Sequence, residues 1–326
     1  MSETVLVTGG AGYIGAHACK TLARAGYRPV VFDNLSRGHR RAVRWGPLVV
    51  GELADRERLR TALEQYRVAA VMHFAAYAYV GESVTDPALY YRNNLGGSLT
   101  LLETMRESGV ARIVFSSTCA TYGVPDSLPI AEAAAQSPIN PYGETKLAIE
   151  RALHWYGAAY GMRSVSLRYF NAAGADPEGE IGECHAPETH LVPLALGAAL
   201  GRRPPLEVYG TDYPTPDGTA IRDYIHVTDL AAAHLRALEH LLEGHGSTAL
   251  NLGTGRGHSV REVIAAVEAA VGSRVPRREV ARRPGDPAIL VADPGLAADR
   301  LGWRALNSGL ETIIESALAW HASEPN

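Results

Sequence analysis

Lysine is almost missing from this chain: of 31 basic residues only Lys20 and Lys146 are lysine, and the rest are arginine. Arginine is a planar fork that stays charged, whereas lysine is a compact point charge on a flexible stem, so a position that keeps lysine here needs that geometry. Cysteine is scarce too. Cys19, Cys119 and Cys184 are far apart and odd in number, which argues against a disulfide framework and against a zinc site. The nearest thing to a metal cluster, Cys184, His185 and His190, matches no familiar ligand spacing, and no metal is expected. Long apolar runs are also missing. The longest weakly polar run, residues 191–201, is too short to span a bilayer, and the opening MSETVLVTGG has no basic stretch followed by an apolar one. A net charge of −4 offers no basic face to a polyanion. Neither nucleic acid nor a membrane is expected as a partner, and the chain is expected in the cytoplasm.

With 46% apolar and 20% charged residues, the 326-residue sequence has the composition of a globular protein large enough to divide in two. Short β-rich runs alternate with helical ones: TVLVTGG, HACKTLARAG, PVVFDN, RERLRTALEQY, AAVMHFAA, LGGSLTLLETMRESG, ARIVFSST. That rhythm predicts an α/β fold with a doubly wound parallel sheet of Rossmann type. A helix from near Tyr142 and the strand SVSLRYFN continue the order, and after Asn171 the texture shifts to loops rich in Gly, Pro and acidic residues. Residues 1–175 are expected to form the dinucleotide-binding domain. Residues 220–255 return to it, AIRDYIHVTDLAAAHLRALEHL as a helix and ALNLGTG as a strand. The remainder of 176–326 forms a smaller, discontinuous mixed α/β domain.

In TVLVTGGAGYIG, Gly9, Gly12 and Gly15 fall between a strand and a helix. There the turn must be tight, and the backbone must come close to a pyrophosphate held by the helix N-terminus. The next strand ends in Asp33, where a carboxylate binds a ribose diol and repels a 2′-phosphate. This favours NAD over NADP, although Arg37, Arg40 and Arg41 lie close behind.

Tyr142 and Lys146 are four apart, hence on one face of a helix that starts near Pro141. A neighbouring ammonium favours the phenolate and brings a tyrosine toward the range where it accepts a proton from an alcohol. A third polar group is expected from the end of a sheet strand, where FSSTCATYG supplies Ser116, Ser117 and Thr118.

TGGAGYIG, FSST and the downstream YGETK resemble the extended short-chain dehydrogenase/reductase superfamily. FAAYAYVGESVTDP, YYRNN, LRYFNAAGA, ETHLVP, VYGTDYPTPDGTAIRDYIHVTDLA and RRPGDPA narrow the resemblance to its UDP-glucose 4-epimerase family, nearly end to end. The resemblance implies NAD-dependent, reversible C4 epimerisation of UDP-glucose and UDP-galactose through a transient 4-keto sugar, by a homodimer. It implies Thr118, Tyr142 and Lys146 as the catalytic group. At the NAD site it implies Tyr13, Ile14, Asp33, Asn34, Leu35, Ser36 and Gly38, with Glu52 and Leu53 beside the adenine. Phe74, Ala75, Ala76, Asn94, Ser116 and Phe170 complete that site. For the UDP-sugar it implies Asn171, His190, Leu191, Tyr209, Arg222, Arg283, Asp286 and Leu290. Arg222 and Arg283 suit a diphosphate through charge-assisted bonds, and Tyr209 suits uracil. Three positions depart from common members: Glu52 for Asp, Ala78 for a lysine near the cofactor, and Leu290 where a Tyr or a small residue bears on N-acetylated sugars. The rival within the superfamily, a nucleotide-sugar 4,6-dehydratase, carries Asp-Glu after the Thr, whereas Cys119 and Ala120 follow Thr118 here.

Overall fold

The computed structural model describes residues 3–283 and 286–323. Among them the strands are, in chain order, β1 (Thr4–Thr8), β2 (Arg28–Asp33), β3 (Leu48–Val50), β4 (Val68–His73), β5 (Arg112–Thr118), β6 (Arg163–Tyr169), β7 (Asn171–Ala173), β8 (Leu206–Tyr209), β9 (Ile221–His226), β10 (Thr248–Leu252), β11 (Gly257–Ser259), β12 (Arg277–Val280) and β13 (Ile289–Leu290). Seven of these form one sheet in the order β10-β6-β5-β4-β1-β2-β3, with every neighbouring pair parallel. The chain runs outward from β1 to β3, then crosses back to β4 on the other side of β1. This reversal opens a crevice beyond the carboxyl ends of β1 and β4, where such sheets bind ligands.

Side-chain alternation explains why the central strands are apolar throughout. Val5 and Val7 of β1 join one core with Ala18 and Leu22 of helix Tyr13–Arg24 and Leu230, Ala237 and Leu241 of helix Val227–Leu242. Leu6, pointing the other way, joins Leu59, Leu63, Leu101, Met105, Ile149 and Leu153 from three helices on the opposite face. A parallel sheet covered on both faces needs apolar residues on both. The doubly wound parallel fold expected from the sequence is the fold found.

One segment differs from expectation. AIRDYIHVTDLAAAHLRALEHL begins as a strand: Ile221–His226 is β9, and only Val227–Leu242 is helix. Residues 222–226 are buried, but Arg222, Asp223 and His226 interrupt the apolar run that marks a buried strand, and the helical periodicity of the following residues masks it. β9 does not enter the large sheet; it pairs with β7, β11 and β13, whereas β10 does pair with β6. A third core, including Val192, Leu196, Val208, Tyr224, Val263 and Ile313, underlies this part of the chain.

Helix Pro141–Tyr160 sets the position of the tyrosine. Asn140 caps it by accepting from Gly143 N at 2.8 Å, Pro141 supplies a preset first turn, and Gly161 ends it at φ 71°. Tyr142 is thereby locked into the first turn. Among the described residues no helix is long and apolar enough to cross a membrane.

Candidate active site

The turn after β1 cannot carry side chains at two of its glycines. A Cβ on Gly15 would lie 2.3 Å from Gly9 O, and one on Gly9, at φ 74°, would lie 2.6 Å from Ala75 N. Gly12 is different, since a Cβ there would meet only Gly9 O at 3.3 Å. Its bare surface faces the cleft. The helix that follows has no side-chain cap at Gly12 and no acidic residue in its first turn, so its first N–H groups and positive dipole end are left for an anion. Asp33 is buried, and accepts from Ala11 N at 3.0 Å and Leu35 N at 2.8 Å. These bonds fix the carboxylate at the end of β2, while burial pushes its pKa up against them. Arg37 is already engaged: it donates to Glu82 at 2.6 Å and lies over the Tyr77 and Tyr79 rings. Arg41 donates to Cys184 Sγ at 3.1 Å. These residues fit a dinucleotide without a 2′-phosphate.

The cleft that starts at this turn encloses about 1420 Å³. A pocket for one small ligand spans roughly 300–1,000 Å³, so this one has room for a dinucleotide and a second nucleotide. All residues expected at the UDP-sugar line it, and so do those expected at the dinucleotide except Leu35, Asn94, Ser116 and Lys146. Each exception has a physical reason. Leu35 takes a left-handed turn, φ 63°, and packs against the core. Asn94 is fully buried and exchanges two bonds with the Tyr77 backbone, at 2.9 and 3.0 Å, pinning the loop that walls the cleft. Ser116 Oγ is paired with Tyr169 OH at 2.6 Å. Lys146 lies beneath the surface and donates to Ser116 O at 2.8 Å.

The three hydroxyls at the end of β5 are now distinguishable. Ser116 is committed to Tyr169, and Ser117 donates to Glu150 at 2.5 Å. Thr118 alone of the three lines the cleft, beside Tyr142. Burial pushes the Tyr142 phenol well up, and the Thr118 hydroxyl acts in the opposite direction. Burial also pulls Lys146 down to about 7, opposed by Glu150. The lysine tip donates to the Ser116 carbonyl and lies 6.0 Å from the Tyr142 ring centroid.

At the far end, Arg222 pairs with Asp286 at 2.5 Å, and the Arg283 guanidinium lies 4.0 Å from the Tyr209 ring centroid. Leu290 packs with Cys119, Tyr122 and Phe170, which gives that wall an apolar surface. Ala78, in place of a lysine, lines the cleft without a charge.

Sequence reasoning missed Glu183 and Glu188, which face His185 and His190 across the cleft wall. Burial disfavours both charged rings, but the two carboxylates outweigh it and push His185 up to about 9 and His190 up to about 10. Both carboxyls are held below the usual range by the imidazoles, against the effect of burial. The signal was GECHAPETH, with a Glu two residues before each His. A search restricted to Cys and His passes over it.

Residues 5–253 match the model of the NAD dependent epimerase/dehydratase family. The UDP-glucose 4-epimerase of Rhizobium leguminosarum bv. trifolii is 56% identical over 98% of this chain and 98% of its own length. A crystal structure of UDP-glucose 4-epimerase from Brucella ovis in complex with NAD is 59% identical with a TM-score of 0.95, covering 97% of this chain and 98% of that one. One from Bifidobacterium longum in complex with NAD+ and UDP is 39% identical with a TM-score of 0.95, covering 99% of both chains. The glycine turn, the Asp33 carboxylate and the Tyr142 cleft thus sit in a chain that belongs to the NAD-dependent epimerase/dehydratase family and, within it, to the UDP-glucose 4-epimerases.

Proposed function

We propose that this enzyme interconverts UDP-glucose and UDP-galactose by inverting C4 of the sugar. The observation that carries this reading is the sharing of one cleft by the glycine turn, Asp33, Thr118 and Tyr142. NAD, when bound, supplies a reversible hydride acceptor for C4. The uncapped N–H groups of Tyr13 and Ile14, in the first turn of helix Tyr13–Arg24, hold its pyrophosphate, Asp33 its ribose diol, and Phe74, Ala75 and Ala76 its apolar flank. Tyr142 accepts the proton of the sugar O4, and Thr118 bonds the same oxygen and keeps it in line. Lys146 acts from below, through the Ser116 carbonyl and the ring it underlies. Arg222, Arg283 and Tyr209 anchor the uridine diphosphate while the 4-keto sugar turns its other face, and Tyr142 then returns the proton. No net oxidation occurs, so the cofactor is not consumed.

In this reading residues 1–175, with 220–255, serve the dinucleotide, and the rest of 176–326 serves the UDP-sugar. The protein works in the cytoplasm as a homodimer. Three cysteines without a disulfide among them suit a reducing compartment, and Trp155, Tyr160, Leu99 and Tyr91 expose apolar surface on and beside the helices that flank the site. A dehydratase reading lacks its acid and base. Cys119, which follows Thr118, is buried with its thiol pushed up to about 12. The test is purified protein with UDP-galactose and no added NAD. UDP-glucose at equilibrium is expected; a requirement for stoichiometric NAD, or loss of water from the sugar, would overturn the reading.

A further inference from the structure

Two groups of side chains outside the glycine turn bring several carboxylates together, and they differ in what fills them. Asp176, Glu178 and Glu180 surround Lys20 Nζ, at 2.6, 3.1 and 2.8 Å. That ammonium is their cation, and it explains why a lysine persists at position 20. Glu183, His185, Glu188 and His190 have no lysine between them, and their donor atoms lie within 4.8 Å of one another.

The second group is a tight cluster of two imidazoles and two carboxylates. His190 Nδ1 lies 2.7 Å from Glu183 Oε1 and 3.0 Å from Glu188 Oε1. His185 Nδ1 lies 3.1 Å from Glu183 Oε1 and 3.7 Å from Glu188 Oε2. With one donor atom taken from each residue, the four lie within 4.8 Å of one another, close enough to share one ion after small side-chain shifts. An ion bound here takes the place of the protons on the two ring Nδ1 atoms. Each Nδ1 carries at most one proton yet faces two carboxylate groups, while Glu183 Oε1 faces both rings. Both carboxylate side chains are almost completely buried, at 5% and 2% exposure.

The surroundings hold the donors in place. Glu188 Oε1 accepts from Thr189 N at 2.7 Å and His190 N at 2.8 Å, which orients the carboxylate. Trp320 Nε1 donates to the Glu183 carbonyl at 3.0 Å, and the Tyr13 and Tyr79 rings stand edge-on to His185. Groups bonded to ligands in this way fix ligand orientation at metal centres.

We propose that Glu183, His185, Glu188 and His190 form a four-coordinate site for a divalent transition ion of the zinc class. Two imidazoles with two carboxylates suit zinc better than calcium or magnesium, which take oxygen shells. The ion fastens residues 183–190, and with them His190 and Leu191 at the start of helix Leu191–Ala199, to the wall of the cleft. It takes no part in the proton transfer at Tyr142.

The experiment strips the full-length protein with a chelator and titrates it with zinc chloride in competition with a chromophoric chelator. One zinc per chain is expected, with affinity reduced by about 100-fold in Glu183→Gln/His185→Asn. Zinc is expected to raise the melting temperature of the wild type and to leave that of the double variant unchanged. X-ray absorption at the zinc edge is expected to show a shell of nitrogen and oxygen with two imidazoles. Less than one zinc per chain in the wild type at micromolar free zinc would overturn the proposal, as would equal affinity in the variant or a sulfur atom in the shell. Should the double variant fail to fold, His185→Asn alone, with the wild-type stoichiometry and absorption spectrum, separates the same outcomes.

Discussion

Lys146 Nζ lies 6.0 Å from the centroid of the Tyr142 ring and 4.9 Å from that of Phe115, and donates to the Ser116 carbonyl at 2.8 Å. Burial draws this lysine from an ordinary 10.5 down to about 7. Between those two values the unfolded chain binds more protons than the folded one, so this residue makes stability rise with pH across that window. Below pH 7 the folded protein carries the full cost of a buried ammonium.

That cost predicts a trade between stability and turnover. A pKa depression of this size corresponds to on the order of 4 kcal/mol, against about 1 kcal/mol for the lost bond to Ser116 O. Lys146→Met should therefore melt several degrees above the wild type at pH 7, with the gap closing toward pH 10, while turnover falls at least ~100-fold. Lys146→Arg keeps the charge in a bulkier form and should lose turnover with no gain in stability. Calorimetry across pH together with steady-state assay checks both; a gap that does not vary with pH would count against the burial argument.

Tyr142→Phe removes the proton acceptor and little else. Thr118 Oγ1 still accepts from Ala120 N at 3.2 Å, and the ring still packs edge-on to Tyr90. Turnover is expected to fall by about 10²–10⁴, the usual worth of a general base, with unchanged melting temperature and unchanged bound NAD measured by absorbance. Loss of cofactor along with activity would assign the phenol to binding instead.

The parts of the site that were legible in the sequence are local ones. The glycine turn, Asp33 and the Tyr142/Lys146 spacing each follow from strand, turn and helix geometry within about one βαβ unit. What singles out Thr118 is not local: Ser117 is occupied by Glu150, 33 residues on, and Ser116 by Tyr169, 53 residues on. Asn94, expected at the cofactor, holds the Tyr77 backbone, 17 residues away, a partner that its own neighbourhood does not announce. β9 hid because its residues run without a break into a strongly helical segment, and its partners β7, β11 and β13 are far apart in sequence. Glu183 and Glu188 were passed over because only the fold of the loop brings two Glu and two His to one point.

The turn glycines should separate into two kinds. Gly15→Ala forces a Cβ against the backbone of Gly9 and Gly10, at 2.3 and 2.9 Å, an overpacking that costs about 1–3 kcal/mol. It should lower both melting temperature and NAD content. Gly12→Ala has 3.3 Å to its nearest neighbour, so the fold should stand while the added methyl obstructs the approach of the pyrophosphate. Calorimetry of NAD-stripped protein and NAD titration tell the two apart; equal melting losses in both variants would refute the distinction.

Arg283 offers the cleanest probe of the nucleotide anchor. Arg222 is buried, pairs with Asp286 and donates to Ile221 O at 2.8 Å, so replacing it would disturb β9 as well as the ligand. Arg283 is exposed and stacks on Tyr209, with no such ties among the described residues. Its charge-assisted bonds to a diphosphate are worth about 1.5–3 kcal/mol, which converts to roughly 10–100-fold in affinity. Arg283→Ala should therefore raise KM for UDP-galactose by that factor, with kcat within a few-fold and the melting temperature unchanged, because the guanidinium is exposed and stacks on Tyr209, not on Thr118 or Tyr142. A fall in kcat with KM unchanged would mean that the guanidinium acts on the reacting centre, and would remove it from the anchor.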